Sequence, residues 1–198
     1  MALPLPSHFY PELGERPLTQ IAERLLEVRY ETLREMVSPY DDNYTRETAV
    51  FGRQRNALID LVMALPDMDL VHAGMDVTFK IGSVPCRFFT DDPQSPQKSG
   101  FFRRNRVDSL FAIDDQQPEV WRFIVEPAFS DEEEDRVFFA GYNAFFEKVS
   151  EWEYQPSRTR LVAVESDVPP AVDIGPAAVE LKEEDQGRDA GLDQADGK

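Results

Sequence analysis

Cysteine and histidine are scarce in this chain of 198 residues, which holds only Cys86, His8 and His72. One cysteine cannot form an internal disulfide, and it excludes every zinc site that needs several cysteines. The histidines lie far apart and form neither an HExxH motif nor a His-x-His pair, so neither is indicated as a catalytic base or metal ligand. Cys86 follows Pro85 in an apolar stretch, where we expect a small core side chain rather than a nucleophile.

Long apolar runs and nucleotide or hydrolase motifs are also missing. No run approaches the ~20 apolar residues that cross a bilayer, and the N-terminal stretch lacks the basic region and unbroken apolar core of a signal peptide. We therefore expect no membrane association and a cytoplasmic location. The motifs GxSxG, GxxxxGK[ST] and GxGxxG do not occur, so we expect no cofactor and lean toward a protein that is not an enzyme.

Basic residues are outnumbered: 21 Lys and Arg stand against 38 Asp and Glu, which gives a net charge of -17. Such a charge repels nucleic-acid phosphates at long range and favours protein or cation partners, so a nucleic-acid site would need a local basic patch. Residues 166–198 contain nine acidic and three basic residues. They hold too little apolar surface to offset the entropy of ordering, which predicts a disordered acidic tail.

The rest of the chain predicts a proline-rich extended arm over residues 1–17 and a single α+β domain over residues 18–165. Apolar side chains recur at helical spacing over residues 19–37 and 45–65, and a proline follows soon after each stretch. Because a proline disfavours helical geometry in the residue before it, these stretches predict two helices that end there. We expect the two to form an antiparallel pair.

Beyond residue 67 the apolar residues recur at about every second position, as in a strand, rather than at helical spacing. Residues 76–81 and 84–90 read as strands, and the Gly82-Ser83 link between them is typical of a tight β-hairpin turn. Further strands are predicted at 107–113, 119–125 and 158–165. The fold prediction is thus a helical pair packed on an antiparallel sheet of four to seven strands.

Residues 130–154 support two interpretations. Apolar side chains from Phe138 to Trp152 recur at helical spacing after an acidic start, which favours an additional helix over 131–151. Against a helix, Gly141 and Asn143 would lie in its middle, and the run RVFFAGY equally describes a buried strand followed by a returning strand. The pattern leaves both open.

One stretch reverses the acidic balance, since residues 87–106 carry five basic and two acidic side chains with four interleaved phenylalanines. Basic groups beside aromatic rings bind the phosphates and bases of single strands, and arginines also grip phosphorylated or acidic ligands. The alternative is that the arginines balance the protein's own acids while the phenylalanines fill the core. The candidate ligand-binding residues are Arg87, Lys98, Phe101, Phe102, Arg103, Arg104 and Arg106.

Carboxylates suggest a weaker candidate. Asp91, Asp92, Asp114 and Asp115 lie in predicted loops after strands, where oxygen ligands could hold a divalent cation. Such residues more often shape turns, because an Asp side chain accepts hydrogen bonds from nearby backbone amides. The Asp173 to Lys182 stretch, which imitates a nuclease pattern, lies in the predicted tail without a scaffold.

The sequence suggests three functions, in decreasing order of support. The first is a non-enzymatic protein-binding module, such as an adaptor, inhibitor or chaperone, that acts through its acidic surface and tail, which a basic partner would suit. The second is nucleic-acid or phospho-ligand binding through residues 87–106. The third is a metal-dependent hydrolase that uses the loop carboxylates. The sequence leaves the oligomeric state open.

Overall fold

The structure, a computed structural model, describes residues 3–103, 116–128, 130 and 133–156, all within one compact unit. No helix among these residues has the length and apolar character to cross a membrane. The α+β class predicted from the sequence is confirmed. The elements are α1 (Pro6–Phe9), α2 (Glu15–Glu35), α3 (Asn43–Ala64), β1 (Met68–His72), β2 (Thr78–Ile81), β3 (Val84–Thr90), β4 (Val120–Glu126), β5 (Arg136–Tyr142) and β6 (Lys148–Glu153).

Helices α2 and α3 are the predicted pair, with bounds a few residues from those expected. Asp42 caps α3, since its Oδ1 accepts a hydrogen bond from the Thr45 amide at 2.7 Å. This bond satisfies one of the amides that a helix start leaves unpaired, and it lowers the pKa of the Asp42 carboxyl. Both helices bury their apolar stripes against one face of the sheet.

A buried ion group joins the two helices to the sheet. The guanidinium of Arg29 on α2 forms two hydrogen bonds of 2.9 Å with Glu47 on α3 and one of 2.9 Å with Asp135, just before β5. Asp135 also accepts from the Ala128 amide at 2.9 Å. Since the Arg29 side chain is 4% exposed, these carboxylates supply the compensation that a buried charge requires.

In the part of the chain that the structure describes, the sheet has six strands in the order β1-β2-β3-β4-β5-β6. The prediction of an antiparallel sheet is wrong at its centre, because β3 and β4 run parallel, in register from Cys86 opposite Trp121 to Thr90 opposite Val125. The other neighbours are antiparallel. Residues 91–119 connect the two three-stranded halves, and parallel neighbours need such a long crossover rather than a hairpin. The sheet is therefore mixed.

The described part of this stretch, residues 133–154, forms strands β5 and β6, and the helix considered over 131–151 is absent from those residues. Strand β5 is buried on both faces, which produces an apolar run without a two-residue period. Gly141 lies against the Trp121 ring, where an added Cβ would approach ring carbons to 2.9 Å. Strand β1, by contrast, was not predicted at all, since most of its five residues are exposed or half-buried.

Each face of the sheet carries its own apolar cluster. The helix-side face holds the larger one, which includes Phe79, Cys86, Trp121 and Phe139. The opposite face, called the second face below, carries a smaller cluster. Its members come from β4, β5 and the residues near position 101: Phe101, Val120, Ile124, Phe138, Ala140 and Tyr142.

The N-terminal arm is packed against the sheet, and its predicted extended form is interrupted by the short helix α1. Phe9 and Tyr10 meet the Trp121 ring edge-on at centroid distances of 6.2 and 6.1 Å. The Pro4 carbonyl accepts hydrogen bonds from the Glu151 amide at 3.3 Å and the Ser150 hydroxyl at 2.9 Å. The arm therefore covers part of the outer edge of β6.

Several predictions lie outside the described residues and stay predictions. They are the strands at 107–113 and 158–165 and the disordered tail at 166–198.

Candidate functional site

Of the candidate basic residues, Arg87 and Arg103 meet at a single carboxylate. The guanidinium of Arg87 on β3 lies 3.0 Å from Asp76 Oδ2, and that of Arg103 lies 3.3 Å from the same oxygen. Arg87 also donates to the Gly100 carbonyl at 3.4 Å. An anionic ligand would have to compete with Asp76 for both arginines.

Phe101 and Phe102 belong to the second-face cluster. Phe101 is 1% exposed and lies 5.0 Å from the Phe89 ring and 5.4 Å from the Tyr142 ring. Phe102 is half-buried and meets Tyr142 edge-on at 5.3 Å. These rings fill a core, as the alternative interpretation of the sequence proposed.

Arg122 on β4 was missed from the sequence, although it interrupts an otherwise apolar strand. Its buried guanidinium donates to the carbonyls of Phe101 at 2.7 Å, Trp121 at 2.8 Å and Arg103 at 3.0 Å. Arg87 and Arg122 stand side by side in the β3–β4 register. Together they fasten residues 100–103 onto the second face.

Lys98 lies in a cleft of about 390 Å³ that the sequence did not reveal. Its walls are the first half of α3, residues 75–77 before β2, residues 87–90 of β3 and residues 98–99 of the loop after β3. We call it the α3–β3 cleft. It brings Arg87 and Lys98 together, whereas Phe101, Phe102 and Arg103 do not line it.

The apolar lining of the α3–β3 cleft comes mainly from aromatic side chains. Phe51 on α3 stacks on Phe88 of β3, with centroids 5.5 Å apart and planes inclined by 22°. At the rim, Tyr44 is 78% exposed and Met75 is 66% exposed. Helical spacing predicted an inward Phe51, but nothing local in the sequence marked Tyr44 or Met75.

The acidic side chains of the cleft are already matched to cations. Both carboxylate oxygens of Glu47 accept from Arg29, and Asp76 pairs with the two arginines described above. Lys98 is exposed, and its ammonium has no ion-pair or hydrogen-bond partner in the part of the chain that the structure describes. Its charge is therefore hydrated and free to pair with a carboxylate of a ligand.

The loop after β3 is shaped by its own carboxylates. Asp91 Oδ2 accepts hydrogen bonds from the amides of Gln97 at 2.9 Å and Lys98 at 2.7 Å. Asp92 Oδ1 accepts from the Gln94 amide at 2.7 Å. These contacts are those of turn-forming residues, and they hold Lys98 at the cleft.

The described residues give no geometric support to the metal-site hypothesis. Over residues 3–103, 116–128, 130 and 133–156, no group of three or more His, Cys, Asp or Glu side chains is arranged to hold a metal ion. Asp114 and Asp115 lie outside those residues, as do Arg104 and Arg106 of the basic segment.

Cys86 packs in the helix-side cluster with no exposed surface. Its burial raises the pKa of the thiol, because the thiolate would lose its hydration, and the thiol donates only a weak contact of 3.5 Å to the Val84 carbonyl. A thiol in this state is a poor nucleophile.

Comparisons of the chain with protein-family models, with curated proteins and with solved structures found no match.

Proposed function

We propose that this chain is a non-enzymatic protein-binding module whose binding site is the α3–β3 cleft. The observation that supports it is the cleft itself, a concave surface with the stacked pair Phe51 and Phe88 inside and the exposed Tyr44 and Met75 at its rim. Aromatic and thioether side chains at the mouth of an apolar cleft are well suited to receive the apolar side chain of a partner.

The geometry favours a protein ligand over a phosphate-bearing one. Of the basic candidates that the structure describes, Arg87 and Arg103 share Asp76, and Lys98 alone is left for an anionic group. Arg122, which was not predicted from the sequence, donates hydrogen bonds to three carbonyls. A phosphate that binds there would first have to break these contacts. The contacts compensate the arginines for their removal from water, so the phosphate would have to supply that compensation instead.

The net charge adds a long-range component. A charge of -17 attracts a basic protein and accelerates its encounter with this chain, as proposed from the sequence for the acidic surface and tail. The apolar contact in the cleft is insensitive to salt. We therefore expect moderate salt to slow association while leaving measurable affinity for a short peptide that fits the cleft.

A selection experiment tests the proposal. The purified protein is panned against a display library of random linear peptides, and the affinities of synthetic versions of the enriched peptides are measured by fluorescence polarisation. The cleft variant combines Tyr44→Ser with Met75→Ser, which removes the apolar rim. The matched control combines Tyr40→Ser with Met63→Ser, whose side chains are 90% and 73% exposed and do not line the cleft.

We expect the enriched peptides to bind the control variant and the unmodified protein with equal affinity. Their affinity for the cleft variant should be at least about tenfold lower, because two apolar side chains no longer bury surface against the peptide. A library that yields no enriched peptide contradicts the proposal. Equal binding to the cleft variant and the control also contradicts it, because the peptide would then bind elsewhere.

A cytoplasmic location is part of the proposal. It is supported by the lone cysteine, which fits a reducing compartment. Fractionation of source cells with an antibody to the chain tests it, and recovery in a secreted or membrane fraction would contradict it.

A further inference from the structure

Strand β3 has an open edge where it borders the cleft. Its pairing with β2 covers only Val84 to Cys86, whereas its pairing with β4 covers Cys86 to Thr90. The same register places Thr78, the first residue of β2, opposite Arg87. Among the strands that the structure describes, residues 88–90 therefore have a neighbour on the β4 side only.

The direction of the backbone groups along this edge follows from one hydrogen bond. The Asp91 amide donates to the Val125 carbonyl of β4 at 3.1 Å. Since backbone groups alternate in direction along a strand, Phe89 also points its amide and carbonyl toward β4. Phe88 and Thr90 then point theirs away from β4, toward the open side.

The hairpin gives the same assignment independently. Ile81 and Val84 flank the two-residue turn, and the next pair is Lys80 with Pro85. Pro85 has no amide hydrogen, which suits a position without hydrogen bonds to β2. Counting onward by two from Val84 places the hydrogen-bonding groups of Phe88 on the β2 side of the strand.

This edge opens into the cleft, since residues 87–90 all line it. We propose that the α3–β3 cleft takes an extended segment of a partner protein as an additional strand, hydrogen-bonded to the main chain of Phe88 and Thr90. The proposal rests on the proposed function and states its binding mode. Addition of a strand to a sheet edge supplies affinity through main-chain bonds and specificity through alternate side chains.

The side chains around the edge define the segment. One residue of an added strand would face the helix side, against the stacked pair of Phe51 and Phe88, and this position calls for an apolar side chain. The next residue would face the second face, where the bond from Arg87 to the Gly100 carbonyl holds the loop that carries Lys98. The exposed ammonium of Lys98 can pair with a carboxylate there. The segment therefore has an apolar residue beside an acidic one.

The two outer edges of the sheet are less suited to this role. The arm residue Pro4 bonds to Glu151 and Ser150 on β6. Strand β1 has an irregularity in its pairing between Leu70 and His72, and a bulge of this kind disrupts the regular ladder that strand addition needs.

The first test uses the peptides selected on the unmodified protein. Each peptide is resynthesised with a single N-methyl group at each position in turn, which removes one amide donor and leaves the side chain unchanged. Strand addition predicts that affinity falls about tenfold at every second position of the bound stretch and less at the positions between. An N-methyl scan without this two-residue alternation overturns the proposal.

The second test reads the protein side. Amide hydrogen exchange measured by NMR should slow at least tenfold at Phe88 and Thr90 when peptide saturates the protein. The control amides are Phe89 and Asp91, which already bond to β4 and should change far less. Unchanged exchange at Phe88 and Thr90 overturns strand addition even if the peptide binds.

A charge exchange tests the predicted acidic position. Lys98→Glu should weaken a peptide that carries the apolar-acidic pair, and replacing the acidic residue of the peptide by lysine should restore its affinity for this variant. If Lys98→Glu has no effect, the stated chemistry of the segment is wrong. Failure of the library selection, in contrast, removes the proposed function itself, so the two failures are distinguishable.

Discussion

Arg122 Nε donates a hydrogen bond of 2.7 Å to the carbonyl oxygen of Phe101, which links a central strand to the segment that crosses the second face of the sheet. The same guanidinium reaches the Arg103 carbonyl at 3.0 Å. A basic side chain therefore serves here to position a segment. This differs from the ligand-binding role that the sequence suggested for its neighbours.

Arg122→Met should release residues 100–103 from the sheet. The substitution leaves the carbonyls of Phe101 and Arg103 without their donor, and we expect a loss of about 2–4 kcal/mol in the free energy of unfolding. Urea denaturation measures this, and limited trypsin digestion should cleave after Arg103 faster in the folded variant.

The matched control is Arg53→Met, since the Arg53 side chain is half-exposed and, among the described residues, pairs with the exposed Glu35 alone. Its cost should stay below about 1 kcal/mol. Equal losses for the two variants would show that the bonds from Arg122 do not hold the segment.

The basic segment shows how far the sequence predicts a site. Its composition marked Arg87 and Lys98 among the candidate ligand-binding residues, and both line the cleft, but their role in binding stays a prediction. The other walls come from α3, which contributes Tyr44 and Phe51, and from residues 75–77 before β2, all distant in sequence from the basic segment. No local pattern indicates that Tyr44 and Met75 meet across a cleft, because this depends on how α3 packs on the sheet.

Arg29→Met tests the buried ion group. The change removes a guanidinium whose side chain is 4% exposed and leaves Glu47 and Asp135 facing each other without a cation. We expect a loss of about 3 kcal/mol at neutral pH, typical of breaking a buried pair by removing one partner. Thermal and urea unfolding measure it.

The loss should shrink when Glu47→Gln and Asp135→Asn are added, because the uncompensated carboxylates are then gone. A triple variant as unstable as the single one would mean that the packing of the Arg29 side chain, rather than its charge, stabilises the fold.

The sequence of residues 130–154 fits both a helix and a pair of strands, and the reason is physical. A surface helix and a half-exposed strand differ in period, but β5 is covered on both faces and shows neither period. The parallel pairing of β3 and β4 was equally hidden, since strand direction across a long connection leaves no mark on either strand. The helices were predicted well because each has one apolar stripe and a proline after its end.

Gly141→Ala should be destabilising although alanine suits a strand no less than glycine does. The added Cβ would lie 2.8 Å from Pro118 Cβ and 2.9 Å from the Trp121 ring. Overpacking of this kind costs about 1–3 kcal/mol. The matched control is Gly52→Ala on α3, where the Cβ meets nothing within 4 Å and alanine should stabilise the helix. Chemical denaturation compares the two, and a Gly141→Ala protein as stable as the unmodified one contradicts the close packing.

Burial of the Tyr142 phenol should make the protein less stable at alkaline pH. The buried hydroxyl of Tyr142 has no hydrogen-bond partner among the described residues. Burial, together with the charges of Glu151 and Asp91, raises the pKa of the phenol. A tyrosine in the unfolded chain ionises near a pKa of about 10, so above that pH the unfolded state binds fewer protons than the folded state. The contribution of Tyr142 to stability therefore falls as pH rises, by at most about 1.4 kcal/mol per pH unit.

Tyr142→Phe removes both effects. The variant should be about 1 kcal/mol more stable at neutral pH, because an unpaired hydroxyl no longer has to be buried, and its advantage should widen above about pH 10. Tyr30→Phe is the control, since Tyr30 is 66% exposed and should change neither value. Urea unfolding at neutral and alkaline pH provides the measurement. If the stability difference between Tyr142→Phe and the unmodified protein stays constant across this range, then the Tyr142 phenol ionises as readily in the folded state as in the unfolded one.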